Sequence, residues 1–348
     1  MNEPLWLSLL KVLVVFGFTM TMVPMLVLAE RRVSAWMQFR IGPNRVGPGG
    51  LLQPMADLVK MLFKEELRPA GVRSFLFTAG PVISAVCAMF MMAVVPLGGT
   101  LHTGGRDVRL VVADVDVGVL VVLATSSIGV YGITLGGWSS NSKYSLLGGL
   151  RSSAQMISYE LTMGLALLGV LVLGAKSPGF GSFSLSDVIA RQAESGIWNV
   201  WKCPLGFLLF TTAAFAETNR LPFDLPEAEP ELVGGYHTEY SAMKFGLFFL
   251  GEYAAMIAGS AVVICLFLGG WHFPFVTKAE TVDPLGALLQ VAVFVLKLLA
   301  FLFFFIHVRW TLPRFRYDQL MNLGWKVMLP LALLTLLVTG GLVAAGVL

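Results

Sequence analysis

Charge is scarce in this sequence. Asp, Glu, Lys and Arg make up 13% of its 348 residues, about half the roughly 25% of ordinary soluble domains. With 56% of the residues hydrophobic, too little polar surface remains to coat a water-soluble globule of this length. Cysteine is almost missing. Cys87, Cys203 and Cys265 stand far apart, with no CxxC and no Cys/His cluster, which argues against a disulfide framework or an iron–sulfur site held by this chain alone. The four histidines, His102, His237, His272 and His307, lack metal-ligand spacing, so no metal site is expected. There is no nucleophile elbow, no Walker loop and no GxGxxG after a strand. No basic run accompanies the net charge of +3, so no nucleic-acid partner is expected. Internal repeats and low-complexity linkers are also missing, and the chain reads as a single domain over 1–348.

What is present is long apolar runs. Seven good candidate spans lie at roughly 5–29, 76–97, 115–137, 155–175, 242–268, 286–308 and 326–347, each near the roughly 20 residues that cross a bilayer. An eighth, 198–216, is interrupted by Lys202 and Pro204. Parity argues for it. The connections 30–75 and 309–326 are both rich in Lys and Arg, so both belong on the cytoplasmic side. Eight spans achieve this and leave both termini outside. The runs lack barrel-type alternation, so the expected fold is all-α, a polytopic membrane protein. In the first cytoplasmic loop, "LLQPMADLVKMLFKEEL" reads as a short amphipathic helix with Leu51, Met55, Leu58 and Leu62 on one face. It either lies in the membrane interface or is wedged against protein.

Several charges fall where lipid penalises them. Glu160, Glu252 and Lys297 lie inside spans, where ionisable groups cost about 2.5–3.5 kcal/mol on insertion scales and usually mark a pathway. The alternative is a static buried ion pair. Lys11 is close enough to its span end to snorkel. The connection "ETNRLPFDLPEAEPEL" at 217–232 holds five carboxylates against Arg220 alone. With Glu239 there are six between 217 and 239, interleaved with apolar side chains and three prolines. The usual reading of such a run is a solvated face or salt bridges to a partner. Crowded, partly desolvated carboxylates would instead be poised to take up protons. Continued by Glu252, Glu160 and Lys297, they suggest a proton path from a cytoplasmic-side cavity towards the membrane midplane.

Four stretches carry a resemblance: "ERRVSAWMQFRIGPNRVGPGGLLQPMADLVKMLFKEE" at 30–66, "WSSNSKYSLLGGLRSSAQMISYE" at 138–160, "FAETNRLPFDLPEAEPELVGGYHTEYS" at 215–241 and "LPRFRYDQLMNLGWKVMLPL" at 312–331. Through them the chain resembles the H-type membrane subunits of bacterial NADH–quinone oxidoreductase, respiratory complex I, the counterparts of mitochondrial subunit 1. Pro230 departs from the pattern, where a small polar residue is usual. The resemblance implies a quinone-tunnel subunit of the bacterial inner membrane with ubiquinone as the default substrate. FMN and iron–sulfur clusters would be held by peripheral-arm partners, and other membrane-arm subunits would adjoin it. It implies that Arg31, Arg40 and Arg309 line the quinone passage. Arg220, Asp224, Glu227, Glu229 and Glu231 would form a charged cavity wall. Asp57, Glu160, Glu217, Glu239 and Glu252 would form an acidic proton relay. It also favours the wedged placement of the amphipathic helix. Two rivals are the homologous anchor of a membrane-bound hydrogenase or ferredoxin-linked complex and an independent proton-coupled transporter. The GPNRVGP and ETNRLPFD matches disfavour the first, and the lack of internal repeats disfavours the second.

Overall fold

The computed structural model describes residues 4–103, 106–174, 183–274, 276–277 and 281–347. Its helices in chain order are α1 (Leu5–Met37), α2 (Gln53–Phe63), α3 (Ser74–Met91), α4 (Gly118–Ser139), α5 (Lys143–Leu173), α6 (Leu185–Ser195), α7 (Asn199–Lys202), α8 (Pro204–Glu217), α9 (Glu229–Leu232), α10 (Ala242–Phe267), α11 (Pro284–Thr311), α12 (Tyr317–Asn322) and α13 (Leu329–Ala344). Seven are long and apolar enough to cross a membrane, counting α3 with the 3₁₀ turn after it and α12–α13 as one helix through a π-helical segment. The chain is a multi-pass helical membrane protein. One small addition to the helical expectation is a three-stranded sheet: β1 (Thr100–Thr103) pairs antiparallel with β2 (Arg106–Arg109) and parallel with β3 (Thr281–Val282).

The expected eighth span is a shorter element. Cys203 leaves helical geometry just before Pro204, and α8 runs for 14 residues. That is about 21 Å of helix, short of a hydrocarbon core of about 30 Å. It nevertheless passes from one end of the bundle towards the other. At its start, the Asn199 side chain donates to the Leu266 carbonyl at the end of α10. Just past its end, Arg220 meets Glu252, 14 residues back along α10. The element thus carries the chain from one end of the bundle to the other, as the parity argument requires. The start of α1 and the end of α13 lie at the end of the bundle that carries the sheet, and the first loop, the 218–241 loop and the 312–316 connection share the other.

α10 is the axis of the bundle. Ala261 to Phe267 are essentially inaccessible, and α1, α3, α8 and α11 pack around it. Phe215 of α8 stacks on Phe305 of α11 at 3.7 Å between ring centroids. α3 and α4 touch through Gly80 and Gly132, where any Cβ would lie within 3 Å of the facing backbone. Small residues at such crossings let helices in lipid approach closely.

α5 has the inverse of a soluble helix's amphipathicity. It begins at Lys143, twelve residues before the span expected from hydropathy. Ser145, Ser152, Gln155, Ser158 and Thr162 are buried, whereas Leu146, Leu150, Ile157, Leu161 and Leu168 face outward. In α2, by contrast, Met55, Leu58, Leu62 and Phe63 are at least half exposed. This chain's own body therefore does not wedge the amphipathic helix, which leaves its apolar face available to the interface or to another chain.

Candidate functional site

The charged end of the bundle is built from four elements. α1 brings Glu30 and Arg31, the turn after α8 brings Arg220 and Asp224, α10 brings Glu252 and Tyr253, and α11 brings Arg309. Arg220 is the hub. Its Nε lies 2.5 Å from Glu252 Oε1, its Nη1 lies 3.4 Å from Glu30 Oε2, and its guanidinium sits 4.1 Å from the Tyr253 ring centre. Burial works against its charge, and Glu252, Tyr253 and Glu30 more than offset that, so the guanidinium is held more firmly protonated than usual. Glu30 also accepts from the Tyr253 hydroxyl at 2.6 Å and from Arg309. Beside this cluster Arg314 donates to Asp224 at 2.7 Å.

One wall of the cluster opens into a pocket of about 500 Å³ lined by Glu30, Arg31, Arg40, Phe249, Tyr253 and Arg309, among others. That size falls in the range of small-molecule sites, about 300–1,000 Å³. Behind the cluster, Glu252 and Glu217 line a common cavity of about 50 Å³ with Ser126, Asn219 and Tyr236. That is room for water, which needs about 10–15 Å³ of such space. Ser126 lines this cavity beside Glu217, its hydroxyl donating to the Leu123 carbonyl at 3.0 Å. A narrower gap then joins Glu217 to Glu160, beside Ser126 and Tyr159. Ser127 donates to the Glu160 carboxylate, and Glu160 opens onto an apolar outer groove with Leu123, Ile157 and Leu161.

The 218–241 loop is shaped by close backbone contact. Gly235 has φ +62°, and a Cβ there would lie 1.7 Å from the Pro226 carbonyl oxygen, so only glycine fits. Burial pushes the adjacent Tyr236 hydroxyl well above its ordinary range, with Glu227 adding to the effect. Burial holds His237 down to about 4, although Glu227 lies 3.5 Å from its Nε2.

Of the residues expected from sequence, Arg31, Arg40 and Arg309 share the large pocket, and Glu252, Glu217 and Glu160 follow one another from the cluster to the outer groove. Arg220 and Asp224 are buried in the adjoining wall. Asp57 pairs with Arg31 at 2.6 Å at the pocket's edge. Glu231 pairs with Arg151 on the surface, and Glu227 faces His237. Glu239 is half-buried and lines none of these cavities. The side chains of Glu229 and Pro230 lie outside the described residues. Lys297 is not with the carboxylates. Its ammonium donates to the carbonyls of Leu268, Gly270 and His272 at 2.6, 2.9 and 2.6 Å. Those residues follow α10, about 24 Å along the helix from Glu252. There it closes the end of α10, as a cation at a helix C-terminus does.

Sequence reasoning missed Glu30, placing it as the boundary of a span beside Arg31 and Arg32. A signal was available. Val23, Leu26, Glu30 and Val33 fall at helical spacing on one face, and all four are buried. A carboxylate on an apolar stripe is an inward-facing group.

Fold and site together define a polytopic membrane protein with an ion-paired cluster between a ligand-sized pocket and a string of cavity-lining carboxylates. Comparison with known proteins makes the assignment specific. The family model for NADH dehydrogenase matches residues 10–340. An H-type subunit of NADH-quinone oxidoreductase from Geobacter metallireducens is 52% identical over 96% of this chain and 95% of its own length. NADH-quinone oxidoreductase subunit 8 of Rhodothermus marinus is 50% identical over 100% and 99%, and the H-type subunit of Flavobacterium psychrophilum 47% over 94% of each. The chain belongs to this family of H-type NADH-quinone oxidoreductase subunits and is a membrane subunit of that oxidoreductase.

Proposed function

We propose that this subunit binds the quinone, ubiquinone by default, in the pocket between Arg31, Arg40 and Arg309, and passes the electrostatic consequence of quinone reduction to a proton relay. The supporting observation is that Glu30 and Arg309 belong at once to the pocket wall and to the ion-paired cluster. The cluster in turn adjoins the string Glu252, Glu217, Glu160. A change of charge in the pocket acts on these groups through a poorly screened interior, where it is felt several times more strongly than in water. Negative charge arriving there draws on Arg309, weakens its hold on Glu30 and releases part of Arg220's attraction from Glu252. Both carboxylates then favour proton uptake. The cavity behind Glu252 has room for the water that hands a proton to Glu217, and Glu217 neighbours Glu160. The string titrates as a set rather than site by site. Asp57 tunes Arg31 at the pocket's edge. Glu227, Glu229, Glu231 and Glu239 complete the loop that roofs the cluster.

Electrons would come from NADH through FMN and iron–sulfur clusters in peripheral-arm subunits, and the outer groove beside Glu160 would lead to adjacent membrane-arm subunits. In this reading the charged end of the bundle faces the bacterial cytoplasm and both termini face the periplasm, across the inner membrane. Replacing Glu217 tests the relay. An assembled complex carrying Glu217→Gln should reduce quinone and pump protons more slowly than wild type, with NADH oxidation by hexacyanoferrate unchanged. Wild-type quinone turnover in that variant would remove Glu217 from the path.

A further inference from the structure

We infer that Gln155 is a positioning residue for the relay: one buried amide on α5 holds the turn after α8 in the register that keeps Glu217 and Arg220 on their cavities. The inference rests on the relay reading above. Gln155 has no exposed surface. Its Nε2 donates to the Ala216 carbonyl at 2.7 Å and to the Phe223 carbonyl at 2.8 Å, with the Asn219 side-chain oxygen at 3.3 Å. An amide nitrogen carries two hydrogens, so the two short bonds engage both of them and Asn219 shares one. These acceptors bracket the segment that contains Glu217 and Arg220, the two residues through which α8 and its turn reach the cavities.

Three further contacts show why this amide sets register rather than merely filling space. One turn along α5, Tyr159 packs edge-on against the Phe223 ring at 5.4 Å and donates to the Leu320 carbonyl at 3.1 Å. From the other side, the Phe315 N–H donates to the Pro222 carbonyl at 3.1 Å. The turn is thus held between α5 and the 312–316 connection, and Gln155 supplies the hydrogen bonds from α5 to its two ends. The Ala216 and Phe223 carbonyls also accept local N–H groups, from Asn219 and Leu225. Loss of the amide therefore leaves neither carbonyl orphaned and loosens the turn without unfolding it. The same rigid helix carries Glu160 five residues further on. α5 acts as a ruler, with Gln155 gripping the segment that contains Glu217 and Glu160 facing Glu217 across the gap.

The test uses the intact complex carrying Gln155→Met, which keeps size and removes both donors, and Gln155→Asn, which keeps the NH₂ on a shorter arm. NADH oxidation is measured with hexacyanoferrate and with a short-chain quinone, and Glu217→Gln is run in parallel. Gln155→Met should assemble and keep hexacyanoferrate activity. Its quinone kcat should fall about tenfold or more, as misplacement of a reacting group does, with KM within about twofold of wild type because the pocket is untouched. Gln155→Asn should recover part of the loss. Wild-type kcat in Gln155→Met, parallel changes in KM and kcat, an Asn variant no better than Met, or failure of both variants to assemble would each overturn the role. If Glu217→Gln is slow and Gln155→Met is normal, only the positioning role fails. If Glu217→Gln turns over normally, the relay reading fails and takes the positioning role with it.

Discussion

Replacing Arg220 by Met should cost stability in a pH-dependent way whose size follows from the cluster. Arg220 stands 2.5 Å from Glu252 and 3.4 Å from Glu30. At an effective dielectric of 20, these contacts are worth about 7 and about 5 kcal/mol of gross attraction. The variant does not lose that whole sum, because a carboxylate stripped of its cation can take up a proton. Glu30 keeps Arg309 and Tyr253. Among the described residues Glu252 has no second cation at ion-pair distance, so it is the group that must be neutralised. Protonating an ordinary carboxyl, half-ionised near pH 4.3, costs about 3.7 kcal/mol at pH 7 and about 1 kcal/mol at pH 5. The penalty at pH 7 is therefore capped near 4 kcal/mol, within the range of about 3–5 kcal/mol for breaking a buried pair, and most of it disappears by pH 5. The assay is the thermal midpoint of the intact solubilised complex, with wild type and variant measured side by side at both pH values. The gap should shrink by more than half on acidification. Arg220→Lys keeps the positive charge, and its smaller gap should not move with pH. A gap for Arg220→Met that is equal or larger at pH 5 would refute the reasoning.

Two further outcomes follow from residues outside the relay. His237 is held down to about 4 in the folded chain against about 6.5 when unfolded, so the unfolded chain binds more protons between those values. Stability is then lost as pH falls from about 6.5 to about 4, by up to roughly 3 kcal/mol. His237→Asn should flatten the thermal-midpoint profile in that window and leave it unchanged above pH 7; an unchanged acid slope would refute this. Lys297→Met should lower the thermal midpoint, because hydrogen bonds to a charged donor are worth about 1.5–3 kcal/mol each and three carbonyls lose theirs. The turnover of whatever complex assembles should stay at the wild-type level, and normal stability with lost turnover would return Lys297 to the proton path.

The fold was legible where lipid does the selecting and obscure where protein does. Seven spans stand out because a bilayer demands about 20 apolar residues in a row. The start of α5 did not, because its inner face meets the loop at Pro226 and Gly235–His237 and carries Ser145, Gly148, Gly149 and Ser152. Hydropathy counts such residues as loop. α8 was marginal for a related reason. It runs for only 14 residues, packed on one side against α5, α10 and α13, and Pro204 at its first position starts the helix where the sequence suggested an interruption. Glu30 lay hidden by adjacency to Arg31 and Arg32, which suggested a water-facing boundary. The long-range partners, Arg314 for Asp224 and Arg151 for Glu231, are 90 and 80 residues away, and nothing in local spacing announces them.

Those partners answer the puzzle set by the acidic connection. Counted alone, 217–232 is a run of negative charge. In the folded chain Arg314 meets Asp224 and Arg151 meets Glu231, while Arg220 turns inward between Glu30 and Glu252. The inner cluster of Glu30, Glu252, Arg220 and Arg309 holds two charges of each sign. Balance matters for the proposed relay, which must answer one added charge. An unpaired group of buried carboxylates would already have protonated to relieve its own repulsion and would have little left to take up. Arginines, which do not give up their protons in this range, favour the charged form of any acid set beside them. In the proposed relay, a charge that competes for Arg309 or Arg220 is felt at Glu30 and Glu252. The arginines are then the components that make the acids responsive, and for that reason the most informative single replacement at this end of the molecule is a cation.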